Sequence, residues 1–202
     1  MRVIVIGGTG TIGTAVVKLL STRHDVVTVG HTRGTFHVDL AAPDSITSLF
    51  KAVGTCDAVV STAGIAKFAS LDDLTYDDYF IGLKNKLMGQ ANLIRIGKPF
   101  VTNHGSFTLT SGVLSQEPMK GSCAISMANA GLEGFVRAAA IDLPRGLRVN
   151  VVSPPWVTET LIARGMDPSI GIPADQVAQA YLASVEGTMT GQTLDPRQIA
   201  TA

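Results

Sequence analysis

Short apolar runs alternate along this chain with longer segments of mixed character. The runs at residues 3–6, 26–29, 58–60, 107–110 and 149–152 are rich in β-branched residues and almost free of charged ones. Strands that helices cover on both faces show such continuous apolar runs, whereas a half-exposed antiparallel strand alternates apolar and polar positions. The pattern predicts an α/β fold, a Rossmann-type doubly wound parallel sheet of about seven strands with helices on both faces.

The segments between these runs predict the helices. Helical patterns span residues 13–20, 75–96, 122–141 and 174–185, and Pro43 opens a further helix because proline suits the first turn. Residues 190–194 are expected to form the last strand, and residues 160–173, rich in glycine and proline, to be the most mobile loop. No repeat or linker interrupts the chain, so one domain over residues 1–202 is expected.

Charge and cysteine content narrow the functional classes. Sixteen basic and sixteen acidic residues give a net charge of zero, which argues against binding to nucleic acid or an anionic membrane. The first apolar run is too short for a signal peptide or a membrane span, so a cytoplasmic location is expected. Cys56 and Cys123 form no CxxC or Cys/His pattern, so we expect no metal site and two buried thiols.

A glycine-rich turn follows the first predicted strand and leads into the first helix. Its GxxGxxG pattern runs through Gly7, Thr9, Gly10, Thr11, Ile12 and Gly13. Glycines at this spacing permit a tight turn and a close approach of the backbone to a pyrophosphate, and the helix directs its free N–H groups at the phosphates. The strand before the turn and the helix after it favour dinucleotide binding over an ordinary turn.

The end of the second predicted strand bears on the choice of dinucleotide. An acidic residue about twenty positions past the glycine turn would hold an unphosphorylated ribose, but this stretch reads His31-Thr32-Arg33. The guanidinium of Arg33 suits a phosphate, with the other two side chains as possible donors beside it. The sequence therefore predicts NADP(H) as the cofactor, although Arg33 could instead be a solvated loop residue.

With these residues in view, the chain resembles the short-chain dehydrogenase/reductase family along nearly its whole length. The resemblance implies that Asp39, with Leu40 beside it, meets the adenine ring. It implies that Thr62, Ala63 and Gly64 line the cofactor where the family has Asn-Asn-Ala-Gly, and that Pro154 and Val157 border the nicotinamide. Residues 107–112 resemble the family segment that carries the catalytic serine, and Ser111 takes its place. Pro155 replaces a usual glycine, which puts the local backbone geometry in question because proline fixes φ.

The resemblance fails at the family's catalytic tyrosine and lysine, four residues apart on one helix. Alignment on residues 132–135 puts Ile125 and Asn129 in their places, so the proton donor and the ammonium that lowers its pKa are both missing. The family's helix asparagine corresponds to Lys86 or, after a shift of one residue, to Asn85. One hypothesis makes Lys86 a desolvated replacement acid; the alternative is a lysine that extends from its helix into solvent.

Three functions fit these observations. The first is an NADP(H)-dependent oxidoreductase with a degenerate catalytic site that contains Ser111 and Lys86, acting on a small carbonyl, alcohol or imine. The second is a pseudoenzyme that binds NADP(H) as a sensor or regulatory subunit, and the third is a non-redox isomerase or cyclase that uses the same pocket. In each case we expect a small-molecule ligand and a homo-oligomer, a dimer or tetramer. Its contacts would use small residues of the two long helices, namely Gly82, Gly89, Ala130, Gly131 and Gly134.

Overall fold

The computed structural model describes residues 1–199, and all seven of its strands join one parallel sheet. The strands are β1 (Arg2–Ile6), β2 (Asp25–Gly30), β3 (Phe36–His37), β4 (Cys56–Ser61), β5 (Val101–Thr110), β6 (Arg148–Val152) and β7 (Thr193–Leu194). Their order across the sheet is β3-β2-β1-β4-β5-β6-β7. The predicted Rossmann-type fold is thereby confirmed.

Helices cover both faces of this sheet. They are α1 (Thr11–Leu20), α2 (Pro43–Val53), α3 (Tyr76–Gly82), α4 (Gly89–Gly97), α5 (Cys123–Asp142), α6 (Thr158–Ala163) and α7 (Ala174–Glu186). Side chains of α1 and α7 pack on one face, and side chains of α2, α4 and α5 pack on the other. In the part of the chain that the structure describes, no helix is both long enough and apolar enough to cross a membrane.

The central strand shows why its apolar run is uninterrupted. Successive side chains of a strand point to opposite faces of the sheet. Val3 and Val5 therefore enter the core under α1 and α7, while Ile4 and Ile6 enter the core under α2, α4 and α5. All four side chains are fully buried, so neither face of β1 tolerates a polar residue.

The sheet reverses its winding at β1, which has β2 on one side and β4 on the other. In open α/β sheets, a crevice forms at such a switch point beyond the carboxyl ends of the strands. The segments that follow β1, β2 and β4 all meet there. The topology thus brings the glycine turn together with residues 31–41 and 62–65.

Several predicted boundaries differ from the structure. The two residues of β3 were missed because so short a strand shows no periodicity. The predicted helix over 75–96 contains a π-helical segment, Leu83–Met88, between α3 and α4. The predicted loop at 160–173 begins inside α6 and contains a 3₁₀ turn, Pro168–Ile170. These differences arise from tertiary contacts that a local pattern does not contain.

The two cysteines have different environments. Cys56 is buried, and its burial raises the pKa of the thiol to about 12. Cys123 is exposed at the first turn of α5. The expectation of two buried thiols is therefore correct for Cys56 and wrong for Cys123, because Cys123 lies on the outward face of α5 while its neighbours Ser122 and Ala124 are buried.

Candidate cofactor and active site

The glycine turn forms a tight link between β1 and α1. Gly7 has a φ of +80°, a left-handed conformation that glycine adopts without strain. Gly10 is the N-cap residue of α1, and no side chain caps this helix. The first backbone N–H groups of α1, on Thr11, Ile12 and Gly13, have no acceptor within the helix and remain available to an anion.

The space around these glycines fits a phosphate cradle. A Cβ atom added at Gly13 would lie 1.9 Å from the carbonyl oxygen of Gly7, so any side chain there would force the turn open. A Cβ atom at Gly7 would lie 2.8 Å from both the backbone nitrogen of Ala63 and the Oγ1 of Thr62. The backbone of the turn therefore packs directly against its own helix and the end of β4. The N–H groups of Gly7, Gly8 and Gly10 donate to backbone carbonyls, so the N–H groups open to a phosphate are those at the start of α1.

A cavity of about 840 Å³ lies against this turn at the switch point. Nine of the predicted cofactor-binding residues line it, namely Gly7, Thr9, Gly10, His31, Asp39, Leu40, Thr62, Ala63 and Gly64. The volume lies within the range of small-molecule and cofactor sites. The structure thus brings together residues from three separate loops that the sequence analysis had assigned to one ligand.

The opposite wall of the cavity comes from α3 and the π-helical segment, and all of it except Asn85 was missed in the sequence. It consists of Asp77, Phe80, Ile81, Lys84 and Asn85. These positions follow the spacing i, i+3, i+4, i+7 and i+8, which places them on one helix face. That spacing is visible in the sequence, but only the packing of the helix shows that this face borders the cavity.

Arg33 lies at the rim of this cavity and does not line it. Its Nη2 donates to the carbonyl oxygen of Thr9 over 3.2 Å, so the guanidinium rests on the glycine turn from outside. Thr32 is exposed beside it. The carbonyl oxygen of Arg33 would lie 2.0 Å from a Cβ atom at Gly30, which explains why glycine ends β2.

The two residues expected beside the nicotinamide also lie outside the cavity lining. Pro154 is buried, and its carbonyl oxygen accepts from the backbone N–H of Val113 over 3.1 Å. Val157 is 5% exposed and forms an isolated bridge with Ile172. Both hold the segment between β6 and α6 at the carboxyl edge of the sheet.

Lys86 is buried, 8% exposed, within the π-helical segment. Its Nζ donates to the carbonyl oxygen of Ser111 over 2.8 Å, and its stem packs against Gly64. Burial lowers the pKa of the ammonium from 10.5 to about 8. The side chain of Lys86 is therefore buried and does not extend into solvent, while its role as a replacement acid stays a prediction.

The π-helical turn explains why Asn85 and Lys86, although consecutive, hold two different loops. π-helical turns occur mostly as single-turn bulges and often at functional sites. The Oδ1 of Asn85 accepts from the backbone N–H of Ile65 over 2.9 Å, which fixes the loop after β4. Lys86 reaches the end of β5 instead. Both side chains are therefore directed inward, and Asn85 is the one that lines the cavity.

Ser111 lies just past β5 with its hydroxyl engaged in a buried network. Its Oγ donates to Oε1 of Glu133 over 3.0 Å, and only 2% of the residue is exposed. Glu133 also accepts from the Oγ of Ser115 over 2.6 Å and from the Oγ of Ser153 over 3.4 Å. Hydroxyl donors from three segments thus solvate one buried carboxylate, which fixes the carboxyl ends of β5 and β6 relative to α5.

Asn129, at the position of the family lysine, is 1% exposed. Its Nδ2 donates to the carbonyl oxygen of Gly112 over 3.1 Å, while its Oδ1 is buried without a hydrogen-bond partner among the described residues. Ile125, at the position of the family tyrosine, is half-buried on α5. Neither the isoleucine nor the amide of the asparagine can give a proton to a substrate as the family's tyrosine does.

Three of the five small residues expected at a homo-oligomer contact pack closely within the chain, while Ala130 is exposed and Gly134 has no close neighbour. A Cβ atom at Gly82 would lie 3.1 Å from the Cβ of Ala66, and one at Gly89 would lie 2.8 Å from the Cβ of Leu40. A Cβ atom at Gly131 would lie 3.0 Å from Cδ2 of Leu87. These three glycines therefore allow close intramolecular approach, and their presence is no argument for a homo-oligomer.

Known proteins share this architecture over nearly the whole chain. The family model described as "Enoyl-(Acyl carrier protein) reductase" matches residues 10–201. The "Carbonyl reductase family member 4" of Danio rerio is 28% identical over 223 residues, covering 95% of this chain and 94% of the relative.

Solved structures share the fold of this chain as well. The protein lin1944 from Listeria innocua is 36% identical, with a TM-score of 0.93 over 96% of this chain and 98% of that one. A small-chain dehydrogenase solved in complex with NADPH is 25% identical, with a TM-score of 0.84 over 96% of this chain and 95% of that one. With its parallel sheet, glycine turn and switch-point cavity, the chain belongs to the short-chain dehydrogenase/reductase family.

Proposed function

We propose that this protein is an NADP(H)-dependent oxidoreductase that acts on a small carbonyl, alcohol or imine. The observation that carries the proposal is the cavity that begins at the glycine turn and continues past Gly64 to Asn85. Gly7 and Gly10 would hold the pyrophosphate, while Asp39 and Leu40 would border the adenine. When bound, the cofactor would give a hydride to a carbonyl or imine or take one from an alcohol, and the chain's own residues would orient it and exclude water.

The preference for the phosphorylated cofactor rests on Arg33. No carboxylate follows β2 at the position that would bind the ribose hydroxyls, and the guanidinium already rests on Thr9 at the rim. Two proteins with this fold and 25% identity were solved with NADPH or NADP bound, which supports the same choice.

Substitution of Arg33 tests this preference. In Arg33→Ala, we expect the affinity for NADPH to fall roughly tenfold to a hundredfold while that for NADH stays unchanged, because only the extra phosphate loses a charge-assisted contact. Titration of both nucleotides by fluorescence measures the two affinities. Equal affinity of the wild type for NADPH and NADH would contradict the assignment.

We further propose that Lys86 takes part in proton supply beside Ser111. An ammonium with a pKa of about 8 can release a proton near neutral pH, and two of its three N–H groups have no acceptor among the described residues. Lys86 would act by turning its Nζ from the carbonyl oxygen of Ser111 toward the bound substrate. The Ser111 hydroxyl would assist only after leaving Glu133.

A nucleotide-binding protein without turnover is the second candidate. It is favoured by the hydroxyl of Ser111, which is committed to Glu133, and by Ile125 and Asn129 in place of the family's acid and ammonium. Binding of NADPH followed by a single-turnover absorbance assay with a panel of reactive carbonyls and imines separates the two. Oxidation of NADPH that depends on substrate and is lost in Lys86→Met supports the oxidoreductase; tight binding without oxidation supports the second candidate. A cytoplasmic location and a homo-oligomer stay predictions.

A further inference from the structure

A lysine faces the cavity from the wall opposite the glycine turn. Among the cavity-lining residues of the described chain, Lys84 is the one lysine or arginine, and it shares this wall with Asp77. Asp39 adds a second carboxylate on the other side. The acidic side chains of the cavity lining therefore outnumber its permanent cations, although the proposed ligand is a polyanion.

Lys84 has no carboxylate partner within the part of the chain that the structure covers. Other surface cations do form ion pairs: Lys18 lies 3.1 Å from Asp175, and Arg23 lies 3.0 Å from Glu186. The Nζ of Lys84 instead lies 5.3 Å from the ring centroid of Phe80, which also lines the cavity. A contact of this kind holds the ammonium over the wall without neutralising its charge.

Hydrogen bonds of the two residues that follow Lys84 hold its backbone in place. The next residue, Asn85, accepts from the backbone N–H of Ile65, and Lys86 after it donates to Ser111. These two hydrogen bonds anchor the π-helical turn to the ends of β4 and β5. Lys84 thus extends from a fixed turn, which limits the ordering that its contact with a ligand would require.

We propose that Lys84 binds a phosphate group of the nucleotide from the wall opposite the glycine turn. The inference rests on the proposed function. The glycine turn offers N–H groups and a helix dipole but no full charge, and Arg33 lies outside the lining. The glycine turn therefore leaves part of the negative charge of the nucleotide phosphates without a cation. The unpaired ammonium of Lys84 on the facing wall supplies that positive charge.

The phosphate could be the pyrophosphate or the phosphate of the adenosine ribose, and three probes separate the two. NADPH contains both groups, NADH contains only the pyrophosphate, and adenosine 2′-monophosphate contains only the ribose phosphate. Calorimetric titration of each probe compares the wild type with Lys84→Gln and Lys84→Arg. Lys51→Gln is the matched control, since Lys51 is exposed on α2 and lies outside the cavity lining.

In Lys84→Gln we expect NADPH to bind about tenfold more weakly, with a shallower salt dependence, whereas Lys84→Arg and the control stay close to the wild type. A loss shared by NADPH and NADH but not by adenosine 2′-monophosphate supports contact with the pyrophosphate. A loss shared by NADPH and adenosine 2′-monophosphate but not by NADH supports contact with the ribose phosphate.

Two results would overturn the inference. Unchanged affinity of Lys84→Gln for all three probes would show that this ammonium contacts no phosphate. An equal loss in Lys84→Gln and Lys84→Arg would show that charge is not the cause. Either result leaves the proposed function standing if the wild type binds NADPH, whereas a wild type that binds no nucleotide refutes the proposed function itself.

Discussion

The buried ammonium of Lys86 should make the stability of this protein depend on pH in an unusual direction. Below about pH 8, the lysine is charged in both the folded and the unfolded chain, so the cost of burying the charge is fully present. Between about pH 8 and the unfolded value of 10.5, the folded protein has released the proton while the unfolded chain still binds it. The free energy of unfolding rises with pH wherever the unfolded state binds more protons than the folded state. Lys86 therefore makes the protein more stable as the pH rises from about 8 to 10.5.

The magnitude follows from the shift from 10.5 to about 8. At about 1.36 kcal/mol per pKa unit, the full shift corresponds to about 3.4 kcal/mol, most of it realised by about pH 10. We therefore expect the unfolding free energy of the wild type, relative to Lys86→Met, to rise by about 2.5 kcal/mol between about pH 7 and pH 10. Loss of the hydrogen bond to Ser111 adds an offset that does not vary with pH.

Urea unfolding curves of both proteins across this pH range measure the difference. Taking the difference removes the contributions of all other titrating groups. Lys51→Met serves as the control, because Lys51 is exposed on α2 and its difference curve should stay flat. A difference between the wild type and Lys86→Met that is independent of pH would refute the assignment of a desolvated ammonium, and with it the proposed proton supply.

Two further substitutions test the site and the core beneath it. Gly13→Ala should lose measurable NADPH binding, because the new Cβ would lie 1.9 Å from the carbonyl oxygen of Gly7 and open the phosphate cradle. Gly134→Ala, where the new Cβ would lie 3.8 Å from Nη2 of Arg137, is the control for a general effect of alanine. Retained affinity, measured by fluorescence titration, would show that the turn does not hold the pyrophosphate. Tyr181→Phe should cost about 1 kcal/mol of unfolding free energy in urea, since the buried hydroxyl lies 2.6 Å from Oγ1 of Thr110. An unchanged midpoint would indicate that this hydrogen bond adds no net stability.

Much of the fold was accessible from local patterns. Continuous apolar runs predicted the buried parallel strands, because a strand covered on both faces is mostly apolar; the buried polar residues in it, such as Thr108 and Asn150, are hydrogen-bonded. The GxxGxxG turn between a strand and a helix predicted the phosphate cradle, because all of its glycines lie within one stretch of seven residues and its shape depends on that stretch alone. Seven of the nine predicted cofactor residues that line the cavity follow a predicted strand, whereas Asp39 and Leu40 were expected there only from the family resemblance.

The catalytic part of the site depended on contacts that no local pattern encodes. Ser111 takes the place of the family's serine in the sequence, but a carboxylate twenty-two positions away accepts its hydrogen bond. Lys86 was equally compatible with solvent and with burial, and the choice depended on the π-helical turn and on the position of β5. The wall formed by Phe80 and Lys84 borders the cavity only because its helix packs beside the end of β4.

The sequence by itself determined the sheet, the helices and the glycine turn, because each depends on the spacing of residues within one segment. Only the tertiary structure decided which side chains lost their water and which charges came to face the cavity. Burial and charge pairing arise between segments far apart in the chain. The lowered pKa of Lys86, the three serine hydroxyls around Glu133 and the unpaired ammonium of Lys84 all depend on such distant neighbours.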